Sequence, residues 1–253
     1  AAFAAGRPTR LLRQYLGVES PATRPDLLED HEALERAVAP GRTPSSRWPG
    51  PGRHPLVLLQ QAAVNLATSE VRDAGIVAVN GPPGTGKTTL LRDLVAAIVT
   101  ARAEVMAGFD DPAAAFIDSR EKLTAAGASQ HLFRLDPRLR GFEVVVASSN
   151  NKAVENVSAE LPGLGAVAED ATSLRYFSTL SDALRDQATW GLIAAVLGNA
   201  ANRARFHRTF WTDKEVGLAT YLLQAAGTPQ VIQETDPETG ALRERAPRIV
   251  AVE

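Results

Sequence analysis

The chain has 253 residues, 45% of them hydrophobic and 22% charged, the balance of an ordinary globular protein. Its 27 basic and 29 acidic side chains leave a net charge of −2, so any nucleic-acid surface must be local rather than a global positive field. The absence of cysteine excludes a disulfide scaffold, Cys-ligated zinc or iron–sulfur centres and thiol catalysis. No apolar run approaches the ~18 residues of a membrane span. The start Ala1-Ala2-Phe3 lacks a charged-then-apolar leader pattern, and a cytoplasmic protein without membrane contact is the expectation. Only four basic residues are lysines (Lys87, Lys122, Lys152, Lys214), a bias that a GC-rich coding sequence explains more simply than phosphate binding does.

In chain order, residues 11–16 and 26–38 carry apolar side chains at helical spacing. Residues 39–55 hold Pro40, Pro44, Pro49, Pro51 and Pro55 with three glycines, a composition that predicts a linker, with Trp48 anchoring it to a surface. Residues 56–69 read as a helix, and residues 75–80 (Gly-Ile-Val-Ala-Val-Asn) as a buried parallel strand. A helix is predicted over 88–102, a second buried strand over 142–147 and a helix over 152–161. Beyond Gly165 the pattern is mostly helical, most clearly over 181–197 and 213–226. Residues 236–248 are polar and turn-rich, and 249–252 could begin a strand.

Between the first strand and the helix after it lies Gly81-Pro82-Pro83-Gly84-Thr85-Gly86-Lys87-Thr88, which matches G-x-x-x-x-G-K-[ST] at every fixed position. Glycines let successive amides turn inward toward phosphate oxygens, and the following helix adds its N-terminal partial positive charge. In such a loop Gly81, Gly84 and Gly86 shape the cradle. Lys87 faces the β- and γ-phosphates, the Thr88 hydroxyl ligates Mg²⁺, and Thr85 and Thr89 assist. ATP with Mg²⁺ is the expected ligand.

The loop string is shared by AAA+ ATPases and superfamily 1 helicases, and flanking elements separate the two. Gln60-Gln61-Ala62-Ala63-Val64, with Gln60 21 residues before Gly81, resembles the Q-x-x-A-V adenine-recognition element of superfamily 1 helicases. An amide both donates and accepts, which suits an adenine edge; a polar residue on a helix surface is the plainer alternative. Residues 145–157 (Val-Val-Ala-Ser-Ser-Asn-Asn-Lys-Ala-Val-Glu-Asn-Val) resemble motif Ia of the branch containing the nonsense-mediated-decay helicases, one residue longer than its commonest form. There Ser148, Ser149 and Asn150 would hold a nucleic-acid backbone; otherwise they cap a helix. The resemblance covers about residues 55–162, with a softer likeness of 176–211 to the helical insertion of large bacterial members.

That family implies an α/β fold: a RecA-like P-loop core with a parallel sheet and flanking helices, here truncated. The expected divisions are an N-terminal helical extension (1–38), the linker (39–55), the first part of the core (56–165) and a mostly helical, incomplete insertion (166–253). It also implies ATP-driven movement along single-stranded RNA or DNA, completed by a second RecA-like domain of the same polypeptide. No strand after Val157 ends in the Asp-Glu pair that holds Mg²⁺, and no arginine finger is recognisable, so weak or absent hydrolysis is expected of this chain alone.

Two alternatives stay open. An AAA+ remodelling ATPase would take residues 114–118 as its Walker B strand, although Asp118 is followed by Ser119 rather than Glu and lies only 31 residues beyond Lys87. A non-hydrolysing ATP sensor or nucleic-acid clamp is the other. The stretch 202–211 interleaves bases with aromatics, but Phe206 and Phe210 at i, i+4 mark a helix's packed face and leave its arginines solvated. Arg134, Arg138 and Arg140 receive the same reading. His31, His54, His131 and His207 show no metal-ligand spacing.

Overall fold

A computed structural model describes residues 9–19, 25–48, 55–69, 75–82, 84–125, 128–148, 155, 158–171 and 173–249. The chain divides into two compact units, one of Ala1–Trp48 with His54–Val144 and the other of Pro49–Arg53 with Val145–Glu253. No helix among the described residues is long and apolar enough to cross a membrane.

The first unit is built on helices. Helix α1 (Arg10–Tyr15) starts at a Thr9 cap, and α2 (His31–Val38) starts at Asp30, whose carboxylate accepts the Ala33 N–H at 2.8 Å. The turn signal of Asp30 thus shortens the helix expected from residue 26. Ala33 and Ala37 of α2 are buried, as are Ala62 and Val64 of α3 (Leu58–Ser69). Asn65 is fully buried in α3. Its amide donates to the Ala37 carbonyl, an orphan of the last turn of α2, and accepts from Gln61 at 2.6 Å. One polar side chain therefore locks the two helices in register without an unsatisfied group.

Helix α4 (Lys87–Ala107) is the longest helix among the described residues, and residues 45–48 run along it. Ser46 donates to the Ala96 carbonyl, Ser45 to Glu104, and the Trp48 N–H to Asp93 at 2.8 Å. Arg47 pairs with the same Asp93, a carboxylate buried one turn and a half into α4.

Two hairpins were not foreseen. β1 (Phe116–Ala125) pairs antiparallel with β2 (Ala128–Leu135), with a bulge after Asp118 where Arg120 takes φ +59°. A 3-10 turn at Pro112–Ala115, capped by Asp111, precedes it. The Walker B placement at 114–118 is thereby corrected: Asp118 lies on an exposed antiparallel ribbon and accepts the Arg120 N–H. Residues 75–80 and 142–147, expected as parallel strands, are neither helix nor strand. The sheets among the described residues are the two hairpins alone.

In the second unit Leu161, Val167, Ala168, Leu180 and Trp190 are buried, and the Trp190 indole N–H donates to the Leu161 carbonyl at 2.7 Å. The helix expected over 181–197 is instead α5 (Ser178–Arg185). It ends because Asp182 accepts both the N–H and the hydroxyl of Thr189, folding the chain back on itself. α6 (Ala200–Phe206) continues through a π turn in which Phe206 stacks on Phe210 at 4.7 Å, the packed face predicted from their spacing. α7 (Leu218–Ala225) starts later than expected, because Asp213 caps the N–H groups of Glu215 and Val216. A Cβ at Gly217 would stand 2.4 Å from the Asp213 carbonyl, so this tight turn requires glycine. The polar stretch 236–248 forms the turn and second strand of a hairpin, β3 (Ile232–Thr235) with β4 (Leu242–Arg245).

Glu215 ties that hairpin back to the helices. Its carboxylate accepts from the Arg245 guanidinium and from the Arg248 N–H at 3.1 Å, and its carbonyl accepts the Ile249 N–H at 2.8 Å. The Arg245 hydrogen bond, foremost, holds the Glu215 carboxyl down at about 2 from its ordinary 4.5. A depressed carboxyl stabilises the fold above its unfolded value and loses that contribution as pH falls toward the folded one. Glu215→Gln should therefore lower the melting temperature near neutral pH, and the gap to the parent should close between pH 4.5 and about 2. Thermal melts across that range check this; a gap independent of pH would show that Glu215 acts by shape alone.

Candidate functional site

The loop 81–88 enters α4 through two glycines in the left-handed region, Gly84 at φ +86° and Gly86 at φ +74°. For any other L-residue that conformation costs roughly 1–2 kcal/mol. Thr85 folds back on the Pro82 carbonyl, its hydroxyl donating at 2.8 Å. The Lys87 ammonium donates to the carbonyls of Gly81 and Pro82 at 2.7 and 2.8 Å. The first residue of the helix thus reaches back to the first residues of the loop and closes it into a ring. Helical bonding begins with the Leu90 N–H on the Gly86 carbonyl at 3.1 Å. The amides of Lys87, Thr88 and Thr89 are then first-turn donors without intrahelical acceptors, which is what an anion at this end would use.

Gln60 borders the ring. Its amide donates to the Thr85 carbonyl at 2.6 Å, and its carbonyl accepts the Val57 N–H at the start of α3. Both ends of the side chain expected to read adenine are engaged within the protein, and they tie the loop to α3. Thr89 stands beside the same spot: a Cβ built on Gly86 would lie 2.5 Å from the Gln60 amide nitrogen and 3.6 Å from the Thr89 hydroxyl. Thr88 is half-buried in the first turn. Gly81, Gly84, Thr85, Gly86, Lys87, Thr88, Thr89 and Gln60 are therefore brought together. Ser148 is exposed at the start of the second unit, and Ser149 and Asn150 lie outside the described residues.

Sequence reasoning passed over Asp93, whose buried carboxylate fastens Arg47 and Trp48 to α4. Its signal was an acid within the largely apolar helical run Leu90-Leu91-Arg92-Asp93-Leu94-Val95. The arginines read as solvated are engaged locally. Arg134 pairs with Glu121, Arg138 pairs with Asp136 and stacks over Phe109 at 4.3 Å, and Arg140 donates to the Leu135 carbonyl. No group of three His, Asp or Glu side chains suited to a metal ion occurs among the described residues. Comparison with family models, curated proteins and solved structures returns no significant match.

The geometry sets a test of the Gln60–Gly86 contact. Gly84→Ala meets open space and should cost roughly the 1–2 kcal/mol of backbone strain alone. Gly86→Ala must also push Gln60 off Thr85, adding about 0.5–1.5 kcal/mol for the lost hydrogen bond. In a Gln60→Ala background the two alanine substitutions should cost the same in urea unfolding. An unchanged excess for Gly86→Ala would remove Gln60 from the loop's support.

Proposed function

We propose that this chain is the ATP-binding portion of a nucleic-acid-dependent ATPase resembling superfamily 1 helicases, coupling ATP hydrolysis to translocation on a single strand of RNA or DNA. The observation that carries the reading is the closed loop 81–88: two left-handed glycines, a lysine turned onto the loop and an uncapped 21-residue helix directly behind it.

The residues present suit a triphosphate with Mg²⁺. The Lys87 ammonium already rests on carbonyl oxygens, so phosphate oxygens of greater charge would compete for it. First-turn amides of α4 would take further oxygens, and Gly84 leaves the loop's outer side without a Cβ. Thr88 would supply its hydroxyl to Mg²⁺, whose chemistry is to offset charge on the phosphates. Gln60 positions the loop through Thr85; reading an adenine edge would require it to exchange one of its two internal partners for the base. Ser148, Ser149 and Asn150 are the proposed strand contacts, through hydroxyl and amide groups that grip phosphates without reading sequence. A second RecA-like domain of the same polypeptide would supply the arginine finger, and the RecA-like sheet belongs to the same proposal.

Titration with a fluorescent ATP analogue in Mg²⁺ should show saturable binding that Lys87→Ala weakens by about tenfold or more, the loss of a charge-assisted contact. ATP turnover by the intact polypeptide should rise with single-stranded RNA or DNA and fall to background in Lys87→Ala. Binding without strand-stimulated turnover would favour an ATP sensor; no binding at all would remove the nucleotide reading.

A further inference from the structure

The part that Gln60 plays at loop 81–88 decides which nucleotides the loop can take. Val57 precedes α3, and its carbonyl accepts the first helical N–H, that of Gln61, at 2.9 Å. Gln60 is then the third residue of the helix, and its side-chain carbonyl accepts the Val57 N–H at 3.0 Å. A glutamine at that position reaching back to the amide before the helix is one half of a capping box. It satisfies a donor that the helix start leaves free. The other end of the same side chain donates to the Thr85 carbonyl at 2.6 Å. There the amide nitrogen lies so close to Gly86 that a Cβ on that glycine would stand 2.5 Å away. The half-buried amide is therefore bonded at both polar atoms and seated against a residue with no side chain. At that end of α3, Val57, Leu58 and Leu59 are exposed. Their side chains carry no donor or acceptor with which one base edge could be told from another.

Resting on the nucleotide reading of loop 81–88, we infer that Gln60 is a positioning residue for the triphosphate and that the site takes nucleoside triphosphates whatever their base. Gln60 acts through Thr85. It ties the loop carbonyl that precedes Gly86 to the start of α3, so the loop is held in shape before a ligand arrives. Turning the amide onto an adenine edge would release the Thr85 carbonyl or uncap α3, and the gain at the base would be offset by a loss within the protein. Binding then draws on the phosphates, which ATP, GTP, CTP and UTP share with inorganic triphosphate.

The test is a calorimetric titration of the whole chain in Mg²⁺ with ATP, GTP, CTP, UTP and inorganic triphosphate. The four nucleotides should bind within about threefold of one another, a comparison that needs no variant. Gln60→Ala, folded at the titration temperature by its thermal melt, should weaken all five ligands by one common factor. That factor is roughly two to ten, the loss of a single hydrogen bond. Inorganic triphosphate has no base, so its loss separates support of the loop from contact with adenine. A tenfold or greater preference for ATP overturns the inference. If that preference collapses in Gln60→Ala, Gln60 is the adenine reader; if it survives there, another residue reads the base. A lowered melting temperature in Gln60→Ala with every affinity unchanged also overturns it and leaves Gln60 as a helix cap alone. If none of the five ligands binds the folded parent chain, the nucleotide reading itself falls and takes this inference with it.

Discussion

The left-handed turn at Gly86 is the constraint on which the first unit's candidate site depends. It lets the chain pass from the loop into α4 with no residue between them, so that Lys87 is both the first helical residue and the cation of the loop. The missing Cβ also leaves the space in which Gln60 reaches the Thr85 carbonyl. Gln60 is held by α3, α3 is held to α2 through Asn65, and α4 is held to the linker through Asp93. The loop is thus positioned by a relay of single hydrogen bonds from three helices rather than by one large apolar contact. Asn65 and Asp93 are the buried members of that relay, and losing either costs more than its own bond because a buried partner is left unpaired; the Gln60–Thr85 bond is solvent-exposed and costs less to lose.

The arginine-rich composition acquires a local meaning in the fold. Arg47, Arg134, Arg138, Arg205, Arg243 and Arg245 each face a carboxylate within the chain. Of these, Arg134–Glu121 and Arg205–Asp186 are exposed at both ends, and such pairs contribute about 0–1 kcal/mol apiece.

Helices carried by apolar periodicity were legible. α3 and α4 begin within two residues of their expected starts. Loop 81–88 stood out in the sequence because a phosphate cradle would need fixed residue types at fixed spacing. The two hairpins were not. β4 reads Leu-Arg-Glu-Arg and is mostly exposed, so it lacks apolar alternation and is held instead by ion pairs such as Arg245 with Glu234 across the ribbon. α5 ended early for a reason local pattern cannot contain: one carboxylate, Asp182, captures Thr189 seven residues on. Gln60's double engagement was equally hidden, since it depends on where α3 lies against the loop.

The apolar runs at 75–80 and 142–147 mark where the fold and the proposed function meet. Ile76, Val77 and Val79 in the first run, and Val144, Val145 and Val146 in the second, are β-branched and exposed, Val145 to 87%. Burying such a side chain completely is favourable by roughly 1.5–3 kcal/mol, so these runs carry a standing incentive to pair. In a strand–loop–helix phosphate site the strand fixes the loop from its N-terminal side. Here that end is held by the Lys87 ammonium and, through Pro82, by Thr85, the very groups that a phosphate would recruit. Drawing Lys87 away to a ligand would free the Gly81 end of the loop unless another element takes hold of it. Lys87 is thus the side chain that holds the Gly81 end of the loop, and the exposed run 75–80 behind it takes no part in that hold.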